Sequence, residues 1–147
     1  MAVAIRCKSF GMNIVFYDPY LDYGCDKVLG ITTLEDFLEQ SDIISIHAPS
    51  TKETRCMVRS DFLSKVRYGC ILINATRGDI INLDELYKIM KSGKVQACGL
   101  DVLPIEGHSS EQQSVVDYEN DAQWLKDRLI IAPHVAYYSD EAYAELR

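Results

Sequence analysis

What most constrains this chain is an alternation of element types. Short runs of β-branched and aromatic residues at 13–17, 43–47, 70–74, 95–100 and 129–132 are separated by stretches whose apolar residues recur at helical spacing. Strands that alternate with helices make βαβ units, and those make a parallel sheet. The runs are apolar almost throughout rather than at every second position, which predicts helices over both faces of the sheet.

The helical stretches carry their own start and stop signals. Thr33 precedes Leu34, Phe37 and Leu38, and Ser60 precedes Phe62, Leu63 and Val66. Asn82 with Glu85 makes a capping-box-like start for a helix that Gly93 ends. Residues 1–10, with Val3, Ile5 and Phe10, read as the remainder of a helix running into Gly11, and Ser139-Asp140-Glu141 opens a last helix that reaches Arg147. Both termini therefore read as cut through elements. With no repeat, low-complexity tract or linker, 1–147 reads as one domain.

Composition narrows the function classes. Among 147 residues, 22 are Asp or Glu and 15 are Lys or Arg, for a net charge of −7, and 48% are apolar. An unfolded acidic chain carries far less apolar material, and a domain that grips nucleic acid directly carries a basic face. Local basic patches stay open. The five cysteines, Cys7, Cys25, Cys56, Cys70 and Cys98, form no CxxC pair and have no histidine at zinc-finger spacing. They read as reduced thiols of a cytoplasmic protein without a metal site. No apolar run approaches the roughly 20 residues that span a bilayer, and the first residues lack a signal-peptide core, so neither membrane insertion nor secretion is expected.

Four motifs fall at strand ends, where open α/β sheets bind their ligands. Tyr17-Asp18-Pro19-Tyr20 closes the first run; an acid here accepts ribose hydroxyls in a dinucleotide-binding fold, although a plain Asp-Pro turn has the same spelling. Asn74-Ala75-Thr76-Arg77-Gly78-Asp79 puts an arginine where its guanidinium fork grips a carboxylate or, equally, forms a surface ion pair. Leu100-Asp101-Val102 is followed by Glu106, and Pro133-His134 follows the last run, so an acid and a proton-transferring imidazole complete the set. A lone histidine is most often only a polar loop residue; three such groups after successive parallel strands are harder to dismiss.

With these motifs the chain resembles the NAD-binding domain of the D-isomer-specific 2-hydroxyacid dehydrogenases, over essentially its whole length. Phe16-Tyr17-Asp18-Pro19-Tyr20 and Tyr137-Tyr138-Ser139 make it look closest to the C-terminal-binding-protein branch. The resemblance implies a Rossmann-like, doubly wound parallel sheet and NAD as cofactor. It assigns Arg77 to the substrate carboxylate and carbonyl, His134 to general acid/base work and Glu106 to pairing with His134. It gives Asp18 the ribose, with Tyr17 and Pro19 beside it, and Asp101 the nicotinamide carboxamide. His47 and Pro49 match the family's His-x-Pro along the cofactor cleft, which Thr76 also borders. Tyr137 stands where that branch carries a tryptophan beside the substrate. The implied reaction is the reversible reduction of a 2-oxo acid to a 2-hydroxy acid, with negative charge growing on the carbonyl oxygen beside Arg77 and protonated His134. Glyoxylate, hydroxypyruvate, pyruvate and 3-phosphohydroxypyruvate all stay open as substrates, and a homodimer is expected.

The chain also departs from the family pattern. None of its eight glycines forms a GxGxxG turn, and the strand that should precede such a turn is missing along with the substrate-binding domain. In the order 3-2-1-4-5-6 that strand lies between those ending at Asp18 and His47, so two unpaired edges and weak cofactor binding are expected. The acidic stretch 107–126 is longer than the family allows and reads as a surface loop, a lid or oligomer contact, with Trp124 and Leu125 anchoring a short helix. The alternative to an enzyme is an inactive fragment or a nucleotide-sensing, corepressor-like module with a protein partner and a nuclear location. The dehydrogenase reading requires Arg77, Glu106 and His134 to meet at one rim of the sheet.

Overall fold

The computed structural model describes residues 2–21, 30–31, 33–104 and 113–145. Helix α1 (Ala2–Ser9) leads into strand β1 (Val15–Phe16), which pairs in parallel with β2 (Gly30–Ile31). Helix α2 (Leu34–Gln40) is followed by the main sheet: β3 (Ile43–Ile46), β4 (Cys70–Asn74), β5 (Val95–Leu100) and β6 (Leu129–Ile131), all parallel and in chain order. Between them lie α3 (Ser60–Lys65), a single 3-10 turn at Gly78–Ile80 with α4 (Leu83–Ser92), and α5 (Gln113–Glu119); α6 (Asp140–Glu145) closes the chain. The fold is a Rossmann-like α/β domain in two pieces of parallel sheet. As the strand-order argument anticipates, β1 and β2 stand apart from β3. Strand β2 was not legible: it is two residues long and one of them is glycine.

Right-handed crossovers between strands laid down in spatial order put every connecting helix on the same side of the sheet. Side chains of alternate strand residues point that way: Ile44 and Ile46, Cys70 and Leu72, Cys98 and Leu100, and Leu129 are all buried. A bulge in the β4–β5 pairing after Cys70 lets Gln96 drop out of register, so Val95 and Cys98 face the same core despite their odd spacing. The opposite face corrects the expectation of two covered faces. Ile43, Ile73 and Ile130 are 44%, 39% and 68% exposed, a Cβ on Gly99 would meet nothing within 4 Å, and α1 contributes no buried residue. An apolar run shows that a strand prefers burial on both faces; it does not supply the second cover.

The best-specified helix is α4, which buries Leu83, Leu86, Tyr87 and Met90 along one stripe. Asn82 Oδ1 accepts the Glu85 amide at 3.2 Å, and Gly93 ends the helix at φ 81, where its N–H reaches the Met90 carbonyl at 3.0 Å. Thr33 caps α2 as expected, its Oγ1 accepting the Asp36 amide at 3.1 Å, and Ser139 Oγ does the same for Ala142 in α6. Ser60 behaves differently. It is the first residue of α3 rather than its cap, and both its amide and its hydroxyl donate to the Glu85 carboxylate of α4. Those bonds hold the Glu85 carboxyl below its ordinary pKa.

Residues 113–126 correct a second expectation, since they are docked rather than looped out. Helix α5 buries Ser114 and Val115, Leu125 enters the core, and Trp124 sits after the helix with its ring edge-on to Tyr87 at 5.0 Å. Asp117 gathers the junction by accepting from the Tyr87 hydroxyl, from Gln113 Nε2 at 2.6 Å and from Trp124 Nε1 at 3.3 Å. Cys7, Cys56, Cys70 and Cys98 are free, and burial pushes the thiols of Cys70 and Cys98 up to about 11 and about 12. Cys25 lies outside the described residues. Among the described residues no helix is long and apolar enough to cross a membrane.

Candidate active site

The register of the main sheet defines a rim. Ile46, Asn74 and Leu100 are partners across β3, β4 and β5, and Leu100 is paired with Ile131 of β6. The backbone continues the row by one step, with the Asp101 amide donating to the Asn74 carbonyl at 2.9 Å and the Ala132 amide to the Leu100 carbonyl at 2.8 Å. Parallel strands in register must release their C-terminal loops on one edge. Here those loops carry His47 and Pro49, then Thr76 and Arg77, then Asp101, then His134. Glu106 lies outside the described residues, so the third member of the expected trio is not located.

The turn after β4 is built around a buried amide. Asn74 is 1% exposed; its Oδ1 accepts the Thr76 amide at 3.0 Å and the Thr76 hydroxyl at 2.9 Å, while its Nδ2 donates to the Arg77 carbonyl at 2.9 Å. Arg77 is thereby held outward and exposed, with Nη1 donating to the Thr76 carbonyl at 2.7 Å. Thr76 spends its hydroxyl on the turn itself.

Gly78 is needed for a different reason. A Cβ there would lie 2.0 Å from the Leu103 carbonyl carbon and 2.4 Å from the Pro104 nitrogen. The loops after β4 and β5 therefore touch backbone to backbone immediately beyond Arg77. Asp79 ties in the loop after β3: its Oδ2 accepts from Ser50 Oγ at 2.7 Å and pairs with Arg55 Nε at 3.2 Å, and its carbonyl accepts the Cys56 amide at 2.8 Å.

Asp101 is buried, 9% exposed. Its two carboxylate oxygens accept the amides of Val135 and Ala136, each at 2.9 Å. The residue between strand and clamp is His134, half-buried and in the left-handed region at φ 55, with its ring edge-on to Tyr137 at 5.9 Å. Tyr137 packs in turn on Tyr138, ring centroids 5.8 Å apart.

The nucleotide-side residues are simpler. Asp18 follows β1, half-buried, and its Oδ1 accepts the Tyr20 amide at 2.9 Å, so the Asp-Pro turn is real whatever else the carboxylate does. Tyr17 and Pro19 beside it are exposed. His47 is exposed with Nε2 3.0 Å from Ser45 Oγ, and the Pro49 carbonyl accepts Thr54 Oγ1 at 2.5 Å. Among the described residues no three His, Cys, Asp or Glu side chains are grouped to hold a metal.

Sequence reasoning placed Asn74 and Gly78 in the motif after β4 but gave neither a role. The signal for the role of Asn74 was an amide at the end of a wholly apolar run; for the contact of Gly78, across 25 residues, there was none.

Comparison with known proteins completes the picture. The family profile described as D-isomer specific 2-hydroxyacid dehydrogenase, NAD binding domain, matches residues 1–136. A glyoxylate reductase of Korarchaeum cryptofilum is 35% identical over 147 residues, covering 99% of this chain and 42% of that protein. A D-3-phosphoglycerate dehydrogenase of Archaeoglobus fulgidus is 37% identical over 95% of this chain and 25% of its own length. Among solved structures, the D-lactate dehydrogenase of Aquifex aeolicus complexed with NAD and lactic acid superposes with a TM-score of 0.83 at 33% identity, over 98% of this chain and 45% of that one. The chain thus spans less than half the length of these relatives.

Proposed function

Because the chain belongs to the D-isomer specific 2-hydroxyacid dehydrogenase family, through its NAD-binding domain, we propose that it forms part of an NAD-dependent enzyme that interconverts a 2-oxo acid and a D-2-hydroxy acid. In this reading residues 1–147 are a partial NAD-binding domain. The observation that carries it is the rim: strands β4, β5 and β6 end in register, and the turns bearing Arg77, Asp101 and His134 leave from one row of backbone. The substrate class is a small 2-oxo acid, as the names of the glyoxylate, phosphoglycerate and lactate relatives suggest.

The cofactor fits at its two ends. Asp18 offers a half-buried carboxylate with one oxygen engaged by Tyr20, which leaves acceptor capacity for ribose hydroxyls, with Tyr17 and Pro19 alongside. Asp101, His47, Pro49 and Thr76 belong to the nicotinamide side, and Asp101 gives one lone pair of each oxygen to the backbone before any ligand arrives. The sequence has no glycine turn for the pyrophosphate. When bound, NADH supplies the hydride.

The chain's own residues do the rest. Arg77 binds the substrate carboxylate with its guanidinium fork and polarises the carbonyl. His134 holds a proton at its imidazole and delivers it to the oxygen as negative charge develops; in the reverse direction it removes that proton as a base. Glu106 is the acid that pairs with His134 in this reading. We assign the protein to the cytoplasm as a homodimer within this reading.

Assays of NADH oxidation with glyoxylate, pyruvate and hydroxypyruvate, alongside NADH fluorescence titration, test it. His134→Ala is expected to lower turnover by about 10²–10⁴-fold and leave NADH affinity unchanged. Turnover that survives the substitution would remove His134 from the mechanism. NADH binding without turnover of any of the three would favour the second reading, a nucleotide-sensing, C-terminal-binding-protein-like module. That reading draws on Phe16-Tyr17-Asp18-Pro19-Tyr20 and Tyr137-Tyr138-Ser139.

A further inference from the structure

A buried carboxylate is costly unless its charge is answered, and among the described residues Asp101 is answered by neither a cation nor a side chain. Its partners are two successive main-chain amides, 34 and 35 residues further on, one to each oxygen at 2.9 Å. Consecutive amides converge on one anion only when the backbone turns them to the same side, as in an anion-binding nest. The residue that leads the chain into this pair of amides is His134, at φ 55. For a residue with a Cβ the left-handed conformation costs roughly 1–2 kcal/mol, and it persists when the surroundings over-determine it. The clamp is one such determinant, beside the contact of the His134 ring with Tyr137. Val135 and Ala136 themselves are exposed, so packing does not hold them.

Asp101 is in turn fixed to the sheet, because its own amide donates to the Asn74 carbonyl at the end of β4. A single chain of contacts therefore runs from the end of β4, just before the turn that carries Arg77, through Asp101 to the turn that carries His134.

We infer that Asp101 is a positioning residue for His134: its ionised carboxylate, by accepting the Val135 and Ala136 amides together, sets the conformation that presents the imidazole at the rim. This rests on the reading of His134 as the acid/base group, and it differs from a role confined to binding the nicotinamide. Asp101 gives each amide an oxygen of its own; a neutral amide in its place turns one of those oxygens into an NH₂ donor facing an N–H group, so the two-oxygen clamp is lost.

Two measurements test it. Hydrogen exchange of the wild-type protein, read by NMR, should show the Val135 and Ala136 amides protected at least about tenfold over unstructured peptide. Exchange at peptide rates would overturn the inference, and this arm needs neither a variant nor activity. In Asp101→Asn, protection at one or both amides should fall to peptide rates, and kcat should drop about 100-fold while KM for NADH moves less than about threefold. A variant that keeps kcat but raises KM for NADH tenfold or more would show that Asp101 serves the cofactor alone and would overturn the inference. If the wild-type protein turns over no 2-oxo acid, the enzymatic reading fails, and the exchange arm still decides whether Asp101 holds the His134 turn.

Discussion

Two clusters of polar side chains hold this domain together, and they work in different media. Under the rim, Asn74 and Asp101 are 1% and 9% exposed, and most of their bonds go to main-chain groups of the Arg77 and His134 turns. At the junction of α4 and α5, Asp117 collects the Tyr87 hydroxyl, the Gln113 amide and the Trp124 indole, with the Lys91 ammonium 4.5 Å over the Tyr87 ring. Tyr87 is buried in this second cluster too, at 8% exposed, but Asp117 and Trp124 are only half-buried and Gln113 is exposed, so water reaches the acceptor and replaces a lost partner there. The first has no such substitute, so losing one of its members strands buried donors and acceptors. Similar hydrogen-bonding groups should therefore differ widely in worth, and substitutions can be ranked on that basis.

The largest effect is expected where the rim leaves no room at all. In Gly78→Ala the new Cβ would sit 2.0 Å from the Leu103 carbonyl carbon and 2.2 Å from its oxygen. Those atoms are backbone, so relief requires two loops to part. A stability loss of about 3 kcal/mol or more is expected from a urea midpoint, at the upper end for overpacking. A loss below about 1 kcal/mol would mean that the β5 loop moves freely, and that the rim is less rigid than the α4–α5 junction.

Asn74→Ala comes next. It removes three hydrogen bonds and leaves the Thr76 amide and the Arg77 carbonyl without their partner, for an expected loss of about 2–3 kcal/mol by denaturant titration. Turnover should fall further than stability alone explains, because the turn that holds Arg77 outward is gone. An unchanged midpoint would place the burial cost of Asn74 level with the value of its bonds and erase the contrast between the two clusters.

The same contrast marks what the sequence could disclose. Local devices were readable: the Asn82 start and Gly93 stop of α4, the Thr33 and Ser139 caps, and the strand ends where Arg77 and His134 emerge each depend on residues a few positions apart. Contacts set by register were not. Gly78 against Leu103, Asp101 against Val135 and Ala136, and Glu85 against Ser60 all join distant segments, and nothing in the spelling of either partner announces the other. Ser60 shows the confusion most plainly, since a residue that spells an N-cap acceptor serves as a double donor. The open sheet face was misread for a related reason: hydrophobicity along Ile43, Ile73 and Ile130 records a preference for cover, and the geometry of right-handed crossovers decides which side receives it.

The smallest effect belongs to the half-open cluster around Asp117, and pH isolates it. Hydrogen bonds from the Tyr87 hydroxyl, then from Gln113, hold the Asp117 carboxyl below its ordinary pKa. A folded-state value lower than the unfolded one contributes stability that is present above the ordinary carboxylate range and is lost as pH falls through the folded value. Tyr87 has the opposite sign. Burial first, then Asp117, raise its pKa, so its contribution is present below the ordinary tyrosine value and is lost as pH rises through the folded one. The pair therefore acts between the two ranges. Thermal scans against pH should show wild-type protein above Asp117→Asn near neutrality, with the two curves converging as acid titrates the carboxylate. Curves that stay parallel into the carboxylate range would show that Asp117 contributes through shape rather than charge. In that case the α4–α5 junction would depend on packing of Tyr87 and Trp124, and exposure would no longer be the variable that separates it from the rim.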